Sequence, residues 1–204
     1  RNDAGIVNLP ETRFFLFGMG NRPKLLYRAG QLLDVATHEP VARWPVRAER
    51  IVPEEYRVEL AGRDGDVAIF EDEAGVWVEQ GGRLAPISQS PPIRLPRFET
   101  FRRRKLLRVL HHEMLVNIVA GRPSPNLFAY TKPWYRDAAM VAMALKLTGN
   151  ETLLADWIGS LRDPFDRNNG GACEPDNLGQ ALYLISLTHS PAHPLVEEIL
   201  AAAE

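Results

Sequence analysis

The hydrophobic pattern of the chain changes near residue 96. Before that point, short apolar or alternating runs are separated by glycines, which is typical of β-strands joined by tight turns. The clearest runs are residues 14–17, 25–27, 56–60, 67–70 and 76–78. Between the third and fourth runs, Asp64-Gly65 supplies the positive φ that a tight hairpin turn needs. The pattern predicts a small antiparallel β-rich domain over residues 1–95.

Prolines mark the end of this domain. Pro91-Pro92 and Pro96 interrupt regular structure, because proline lacks an amide donor and biases the preceding residue towards extended geometry. Beyond them, apolar residues recur at helical spacing over residues 101–119, and Gly121 follows as a stop signal. We therefore predict an α+β protein with an α-helical domain over residues 96–204.

Four further helices are predicted after the first. Residues 138–145 are apolar on nearly every side, so this helix is expected to be surrounded by protein. An amphipathic helix is expected over residues 150–161, a second buried one over 178–187, and a last one from Pro194 to the chain end. The pairs repeat about every 40 residues, which indicates an array of α-hairpins. Because residues 201–203 end in mid-helix without a cap, we expect the array to be incomplete.

The composition is that of a compact chain with no strong charge preference. Its 204 residues are 45% hydrophobic and 25% charged, which excludes a disordered polymer. Because 24 Lys+Arg meet 26 Asp+Glu, the net charge of -2 indicates neither a nucleic-acid partner nor an anionic membrane. The basic run over residues 102–108 opens an amphipathic helix, and we interpret it as a solvated face. No apolar run approaches the roughly 20 residues of a membrane span, so no membrane partner is expected.

Cysteine and histidine give no pattern for a metal or cofactor. The single Cys173 excludes an intrachain disulfide framework and a cysteine-based zinc site. His111 and His112 are adjacent and point to different helix faces, unlike the i, i+4 pair that binds zinc. A calcium loop starting at Asp166 would need Glu at its twelfth position, which is Asn177. We expect no metal and no cofactor, and both a cytoplasmic and a disulfide-free secreted location fit.

The segment before the second helix carries the first candidate site. It combines aromatic rings, cations and a carboxylate in Tyr130, Lys132, Trp134, Arg136 and Asp137. Aromatic faces pack on the C–H faces of a sugar ring, while Arg and Asp make charge-assisted hydrogen bonds to its hydroxyls. The alternative is structural: Asp137 caps the helix and pairs with Arg136, while Trp134 joins the core. The spacing leaves both interpretations open.

The loop over residues 163–177 carries the second candidate site. It concentrates four carboxylates before the fourth helix, and Glu174 and Asp176 lie nearest the helix start. A hydrolase needs one carboxyl group with a raised pKa as acid and another as base, so these two are the catalytic candidates. The alternative is a turn-rich loop whose Asx side chains bond their own backbone, with Asp176 as a helix cap.

Both candidate sites resemble segments of one enzyme family. The Trp-Tyr-Arg-Asp-Ala-Ala segment from Trp134 is similar to the Trp-x-Arg-Asp-Ser/Ala-Ala segment of the glucoamylase-like six-hairpin glycoside hydrolases. The Asp-Asn-Leu-Gly-Gln-Ala-Leu segment from Asp176 resembles the start of a later inner helix in that superfamily. The resemblance covers residues 101–204 and implies a partial α/α toroid, here after a β-rich domain as in bacterial members.

The resemblance also implies roles for individual residues. Arg136 and Asp137 would bind hydroxyls in the subsite where the bond is cut, and Trp134 would shape the pocket. The loop before the later inner helix would bring Glu174 and Asp176 towards that pocket. In the family the catalytic acid and base lie on later hairpins, so the catalytic pair is not expected to be complete in this chain.

Three functions are consistent with these features. The first is the N-terminal portion of a glycoside hydrolase that binds or hydrolyses glucose-type oligosaccharides. The second is a non-catalytic saccharide-binding module, which would bind sugars without turnover. The third is a helical scaffold whose exposed apolar helix faces contact a partner or form a homodimer.

Overall fold

The fold combines antiparallel sheets with the helices that follow them, which confirms the predicted α+β class. The computed structural model describes residues 13–63, 65–188 and 192–203. The predicted domains therefore extend beyond the described residues at 1–12 and 204, and Asp64 of the predicted turn also lies outside them. The chain divides into two compact units between Val116 and Asn117. The division follows the first helix, whereas the boundary expected from the prolines precedes it.

Within its described residues, the first unit contains two antiparallel meanders, a 3-10 turn at Pro53–Glu55 and one α-helix. Sequence neighbours pair throughout, in the order β1-β2-β3-β4 in one sheet and β5-β6-β7-β8-β9 in the other. The elements are β1 Phe14–Phe17, β2 Leu25–Arg28, β3 Gln31–Asp34, β4 Pro40–Arg43, β5 Val46–Val52, β6 Arg57–Gly62, β7 Asp66–Glu71, β8 Gly75–Gln80, β9 Arg83–Gln89 and α1 Arg104–Val116. Every strand expected from the hydrophobic runs is therefore present.

The core of the first unit includes apolar side chains of both sheets and an aromatic stack on α1. In the predicted hairpin, Val58 pairs with Ile69 across β6 and β7, and both are fully buried. His112 of α1 lies between two rings, with its centroid 4.8 Å from that of Phe15 and 5.4 Å from that of Tyr56. The helix is thus held by stacking as well as by aliphatic packing.

A buried ion pair joins the β1–β2 connection to the end of β7. Arg22 Nη1 lies 2.8 Å from Glu71 Oε1, and both side chains are fully shielded from solvent. The same carboxylate accepts hydrogen bonds from the amides of Gly18 at 2.8 Å and Met19 at 2.7 Å. Gly18 has a φ of +102°, and a Cβ there would lie 2.2 Å from the carbonyl oxygen of Pro23. Glycine is therefore required where the loop closes over the carboxylate.

Helix α1 is shorter than its hydrophobic pattern predicted. The expectation extended it to residue 119, but it ends at Val116, and β10 Ile118–Val119 pairs with β11 Arg122–Pro123. The two residues between these strands, Ala120 and Gly121, both have positive φ, at 49° and 72°. That combination is the one a two-residue hairpin turn needs, so Gly121 serves the hairpin rather than the helix end.

The second unit contains the remaining helices. They are α2 Tyr135–Thr148, α3 Ala155–Gly159, α4 Asp176–Thr188 and α5 Leu195–Ala202. Gly149 ends α2 in the left-handed conformation, with a φ of 72°, which glycine adopts without strain. The amphipathic helix expected over residues 150–161 is instead a 3-10 turn, Glu151–Leu154, followed by the short α3.

Helix α2 is buried along one stripe and not on nearly every side, as its apolar sequence had suggested. Ala138, Ala142 and Leu145 face the interior at helical spacing. On the other side, Met140, Met143 and Leu147 are 70%, 52% and 84% exposed. Apolar side chains on a helix face show that the face can be buried, but burial also requires another element to pack against it. Within the described residues, no helix has the length and apolarity needed to cross a membrane.

We expect Glu71→Ala to lower the free energy of unfolding of the first unit by about 3–5 kcal/mol, because Arg22 would be left buried and unpaired. Urea denaturation measures this loss. Glu59→Ala is the matched control, since Glu59 pairs with Arg50 and Arg57 at the surface and such pairs contribute about 1 kcal/mol or less. Equal losses in the two variants would contradict a structural role for the buried pair.

We also expect the first unit to lose stability in mild acid. Burial lowers the pKa of His111 and of His112 from 6.5 to about 4. Well above pH 6.5 both histidines are neutral in the folded and in the unfolded state. As the pH falls towards 4, each histidine becomes protonated in the unfolded chain while it is still largely neutral in the folded protein. Proton binding therefore favours the unfolded state, and each histidine lowers the free energy of unfolding by roughly 3 kcal/mol.

Urea midpoints measured between pH 7.5 and 4 check this expectation. His111→Phe should flatten the pH dependence, because its ring nitrogens have no hydrogen-bond partner and phenylalanine keeps the apolar contact with Phe98. His38→Asn is the control, since His38 is exposed and asparagine tolerates its positive φ of 61°. An unchanged pH profile in His111→Phe would exclude His111 as a cause.

Candidate functional site

The candidate site lies where α2 and α4 begin. Trp134 is the N-cap residue of α2 and has extended backbone dihedrals without a side-chain capping bond. The cap comes from another segment, because the amide of Tyr135 donates to Oδ2 of Asp166 at 2.7 Å. Asp137 lies in the first turn and is partly buried. The helix start therefore needs no capping bond from Asp137, which leaves that carboxylate available for another role.

Asp166 also links the start of α2 to the start of α4. The amide of Asp166 donates to Oδ1 of Asn177 at 3.1 Å, and Asn177 is 1% exposed. Asn168 donates its amide to Oδ1 of Asp166 at 2.9 Å and its side chain to the carbonyl of Pro133, also at 2.9 Å. Asp166, Asn168 and Asn177 thus hold the acidic loop against both helix starts.

The two helices begin side by side. Their first residues are bridged by Asp166 and Asn177, and the helices pack against each other. The peptide dipole of each helix leaves partial positive charge at its N-terminus. The mouth formed by residues 134–137 and 174–177 is therefore suited to carboxylates and to other electron-rich oxygens.

Tyr135 anchors α2 and is not available to a ligand. Its hydroxyl donates to the carbonyl of Asp163 at 2.7 Å, and its ring meets Trp157 edge to face at 6.4 Å. Burial raises the pKa of Tyr135 to about 12, with Asp163 and Asp166 acting in the same direction. The side chain stays protonated at neutral pH and fixes the orientation of the first helical turn.

Arg136 connects the two candidate segments directly. Its Nη1 lies 3.1 Å from Oδ2 of Asp176 and 4.0 Å from Oε1 of Glu174, although Arg136 and Asp176 are 40 residues apart in sequence. The guanidinium also lies over the ring of Trp134, 5.8 Å from its centroid. The arginine therefore pairs with the acidic loop, whereas the structural alternative had paired it with Asp137 of its own helix.

Asp176 is held as a carboxylate. Nε2 of Gln180 donates to its Oδ2 at 2.9 Å, and that bond, together with Arg136, lowers the pKa of Asp176. A general acid needs a raised pKa, so this environment suits an acceptor of hydrogen bonds or a base. Glu174 accepts a hydrogen bond from Nδ2 of Asn169 at 3.3 Å and is partly buried.

The two remaining predicted residues lie on the loop that precedes α2. Tyr130 is 61% exposed, and Lys132 is also exposed. Both belong to the same unit as the helix mouth. The structure thus brings Trp134, Arg136, Glu174 and Asp176 together, with Asp137 one residue further along α2, while Tyr130 and Lys132 stand outside the hydrogen-bonded cluster.

Sequence reasoning missed the residues that organise the site. Asp166, Asn168, Asn177 and Gln180 make the hydrogen bonds that position it. The i, i+4 spacing of Asp176 and Gln180 is a usable signal, because such pairs are neighbours on a helix. The bond between Asp166 and the Tyr135 amide spans 31 residues, and no local pattern indicates it.

A second concave surface lies on the sheet of the first unit. It encloses about 490 Å³ and is lined by charged residues of β5 to β8. Several of those charges pair with one another, since Nε of Arg57 lies 3.2 Å and Nη1 of Arg50 lies 3.6 Å from the carboxylate of Glu59. Within the described residues, no three His, Cys, Asp or Glu side chains are grouped to hold a metal ion.

The comparisons with known proteins add no relative to this picture. No family model, curated protein or solved structure matches the chain. The geometry of the helix mouth and the two sequence motifs that form it are therefore the features that indicate a function.

We expect Asp166→Ala to loosen the helix mouth. The variant would remove the acceptor for the amides of Tyr135 and Asn168, so unfolding of the second unit should become easier by about 1–3 kcal/mol. Hydrogen exchange at the Tyr135 amide should accelerate in parallel. Asp156→Ala is the control because Asp156 is exposed in the first turn of α3, and its loss should leave that exchange rate unchanged.

Proposed function

We propose that the second unit binds a neutral, glucose-type oligosaccharide at the mouth of α2 and α4. The observation that supports this most strongly is the contact between Arg136 and Asp176 at 3.1 Å. Each residue belongs to a segment that resembles the same family of sugar-cleaving enzymes, and the two segments are adjacent in space. Convergence of two separate motifs at one mouth is expected of a binding site and is not required by a helix cap alone.

The helix arrangement supports a partial α/α toroid as the scaffold. In a toroid of α-hairpins the inner helices run parallel and present their starts at one end. Helices α2 and α4 begin side by side and pack against each other, and the 3-10 turn and α3 connect them in the chain. We therefore infer that α2 and α4 correspond to two consecutive inner helices and α3 to the outer helix that links them.

The exposed groups at the mouth suit a sugar ring. Arg136 has 46% of its side chain exposed and can donate to a hydroxyl while it remains paired, because a guanidinium carries five donors. The carboxylates of Asp137 and Asp176 accept from hydroxyls that donate. The half-buried Trp134 offers an apolar ring to the C–H face of a pyranose. Paired donors and acceptors around one ring are the chemistry that neutral saccharides require.

If hydrolysis occurs, the carboxylates of the site would have different catalytic roles. Asp176, with its lowered pKa, would accept hydrogen bonds or act as a base. An inverting mechanism needs a second carboxyl group about 6.5–9.5 Å away as the acid, with space for water between the two. Glu174 lies 4.0 Å from the same Arg136 nitrogen that Asp176 contacts at 3.1 Å. We therefore propose saccharide binding as the primary activity of this unit and assign the acid to a group outside the Arg136 cluster.

Calorimetric titration with a panel of gluco-oligosaccharides tests this proposal. Asp137→Ala and Arg136→Ala should each weaken binding by about tenfold or more, because a hydrogen bond to a charged group contributes about 1.5–3 kcal/mol. Arg167→Ala is the matched control: Arg167 is also exposed and also pairs with an aspartate, Asp163, within the acidic loop. Binding to this control should equal that of the unchanged chain.

A reducing-sugar assay on the same proteins separates the remaining functions. Turnover that disappears in Asp176→Asn would identify a hydrolase, and binding without turnover would identify a saccharide-binding module. If no saccharide binds and the chain sediments as a tight dimer, the proposal is wrong. That outcome would favour a scaffold that associates through Met140, Met143 and Leu147 on α2.

A further inference from the structure

The loop over residues 126–130 is a rigid turn. Asn126 and Tyr130 exchange backbone hydrogen bonds at 3.3 and 3.1 Å, which closes a three-residue connection. Oδ1 of Asn126 also accepts from the amides of Phe128 and Ala129, both at 2.9 Å. The amide of Leu127 donates to Oδ1 of Asn117 at 2.7 Å, which fixes the turn to the rest of the unit. The turn conformation is therefore determined by side chains as well as by the backbone.

This rigid turn presents two aromatic rings to solvent. Phe128 and Tyr130 are each 61% exposed, while the turn between them is fully hydrogen-bonded at its base. The residues around them are polar or small and exposed, namely Asn126, Ala129, Thr131 and Lys132. A pre-organised aromatic residue loses little conformational entropy on binding, so such rings are efficient ligand contacts. The isolation of the two rings among polar groups suits a ligand with alternating apolar and hydroxyl surfaces better than a broad apolar protein face.

The turn is connected to the helix mouth by a short, fixed segment. Ser124 Oγ donates to the carbonyl of Thr131 at 3.0 Å, and Asn168 Nδ2 donates to the carbonyl of Pro133 at 2.9 Å. The four residue steps from Tyr130 to Trp134 can span at most about 14 Å. The backbone of the turn at Tyr130 therefore lies close enough to the mouth for an extended oligosaccharide to span the distance between them.

We infer that Phe128 and Tyr130 form an accessory saccharide subsite, which contacts the part of an oligosaccharide chain that extends from the helix mouth. This inference rests on the proposed function and makes it more specific. The ligand is a linear saccharide of several units, and a monosaccharide or disaccharide occupies the mouth alone. Affinity consequently rises with chain length until the turn is reached, and the rise depends on the two rings.

Titration of the full chain with matched linear gluco-oligosaccharides of one to six units tests the inference. Phe128→Ala should weaken binding of the longest saccharides about threefold to tenfold, the range that aromatic contacts contribute, and leave the shortest unchanged. Phe128→Leu keeps apolar bulk without the ring and should show most of the same loss. Tyr130→Phe keeps the ring and should bind like the unchanged chain, while Tyr130→Ala should not.

Phe101→Ala is the matched control, because Phe101 is a similarly exposed phenylalanine, at 57%, in the first unit. Circular dichroism spectra should be the same for all variants, since these side chains are solvent-exposed. Chain-length dependence that persists in Phe128→Ala and Tyr130→Ala would overturn the accessory subsite while leaving the proposed function intact. An unchanged chain that binds no saccharide would overturn both.

Discussion

The candidate site depends on one aspartate, Asp166, which caps the start of α2 and also contacts the start of α4. Asp166 accepts the first amide of α2 and donates its own amide to Asn177 at the start of α4. A helix start leaves unpaired N–H groups that must find partners, and here a loop that follows α3 satisfies one of them. Because the same residue contacts both helices, their starts are held side by side. Nη1 of Arg136 and Oδ2 of Asp176 then lie 3.1 Å apart, although their helices are neither consecutive in the chain nor joined by a sheet.

The first unit is organised by a different constraint, which is the removal of two charges from water. Arg22 and Glu71 lose their hydration when the unit folds, and their attraction compensates only because the carboxylate also receives two backbone amides. Arg22 in turn donates to the carbonyls of Asp72 and Glu73, at 2.7 and 2.5 Å. Lys24 is buried nearby and donates to the carbonyls of Gly18 and Gly20, and burial lowers its pKa to about 8. A charged network of this kind fixes the path of the β1–β2 connection, since any displacement leaves a buried charge unpaired.

Local patterns in the sequence predicted five of the nine described strands of the first half, β1, β2, β6, β7 and β8, and the positions of α2, α4 and α5. They succeeded there because period-2 and period-3.6 repeats reflect which face is buried. They failed where a long-range contact or an alternative turn was decisive. Ile118 and Val119 continue the helical spacing of α1, but the positive φ at Ala120 and Gly121 forms a hairpin instead. At the site, the sequence named Trp134, Arg136, Glu174 and Asp176 as candidates, but the only partner that it offered for Arg136, in the structural alternative, was its helix neighbour Asp137. The partner across the mouth depends on how two helices pack, which no spacing within a single helix encodes.

The position of the single cysteine has a practical consequence. Cys173 is exposed, lies in the loop that carries Glu174 and Asp176, and accepts a hydrogen bond from Arg167 at 3.3 Å. A thiol-directed fluorophore or spin label would therefore attach at one position of the unaltered chain, immediately beside the helix mouth. The probe would report the local environment of the acidic loop, and its signal could be followed independently of the tryptophan fluorescence of the two units.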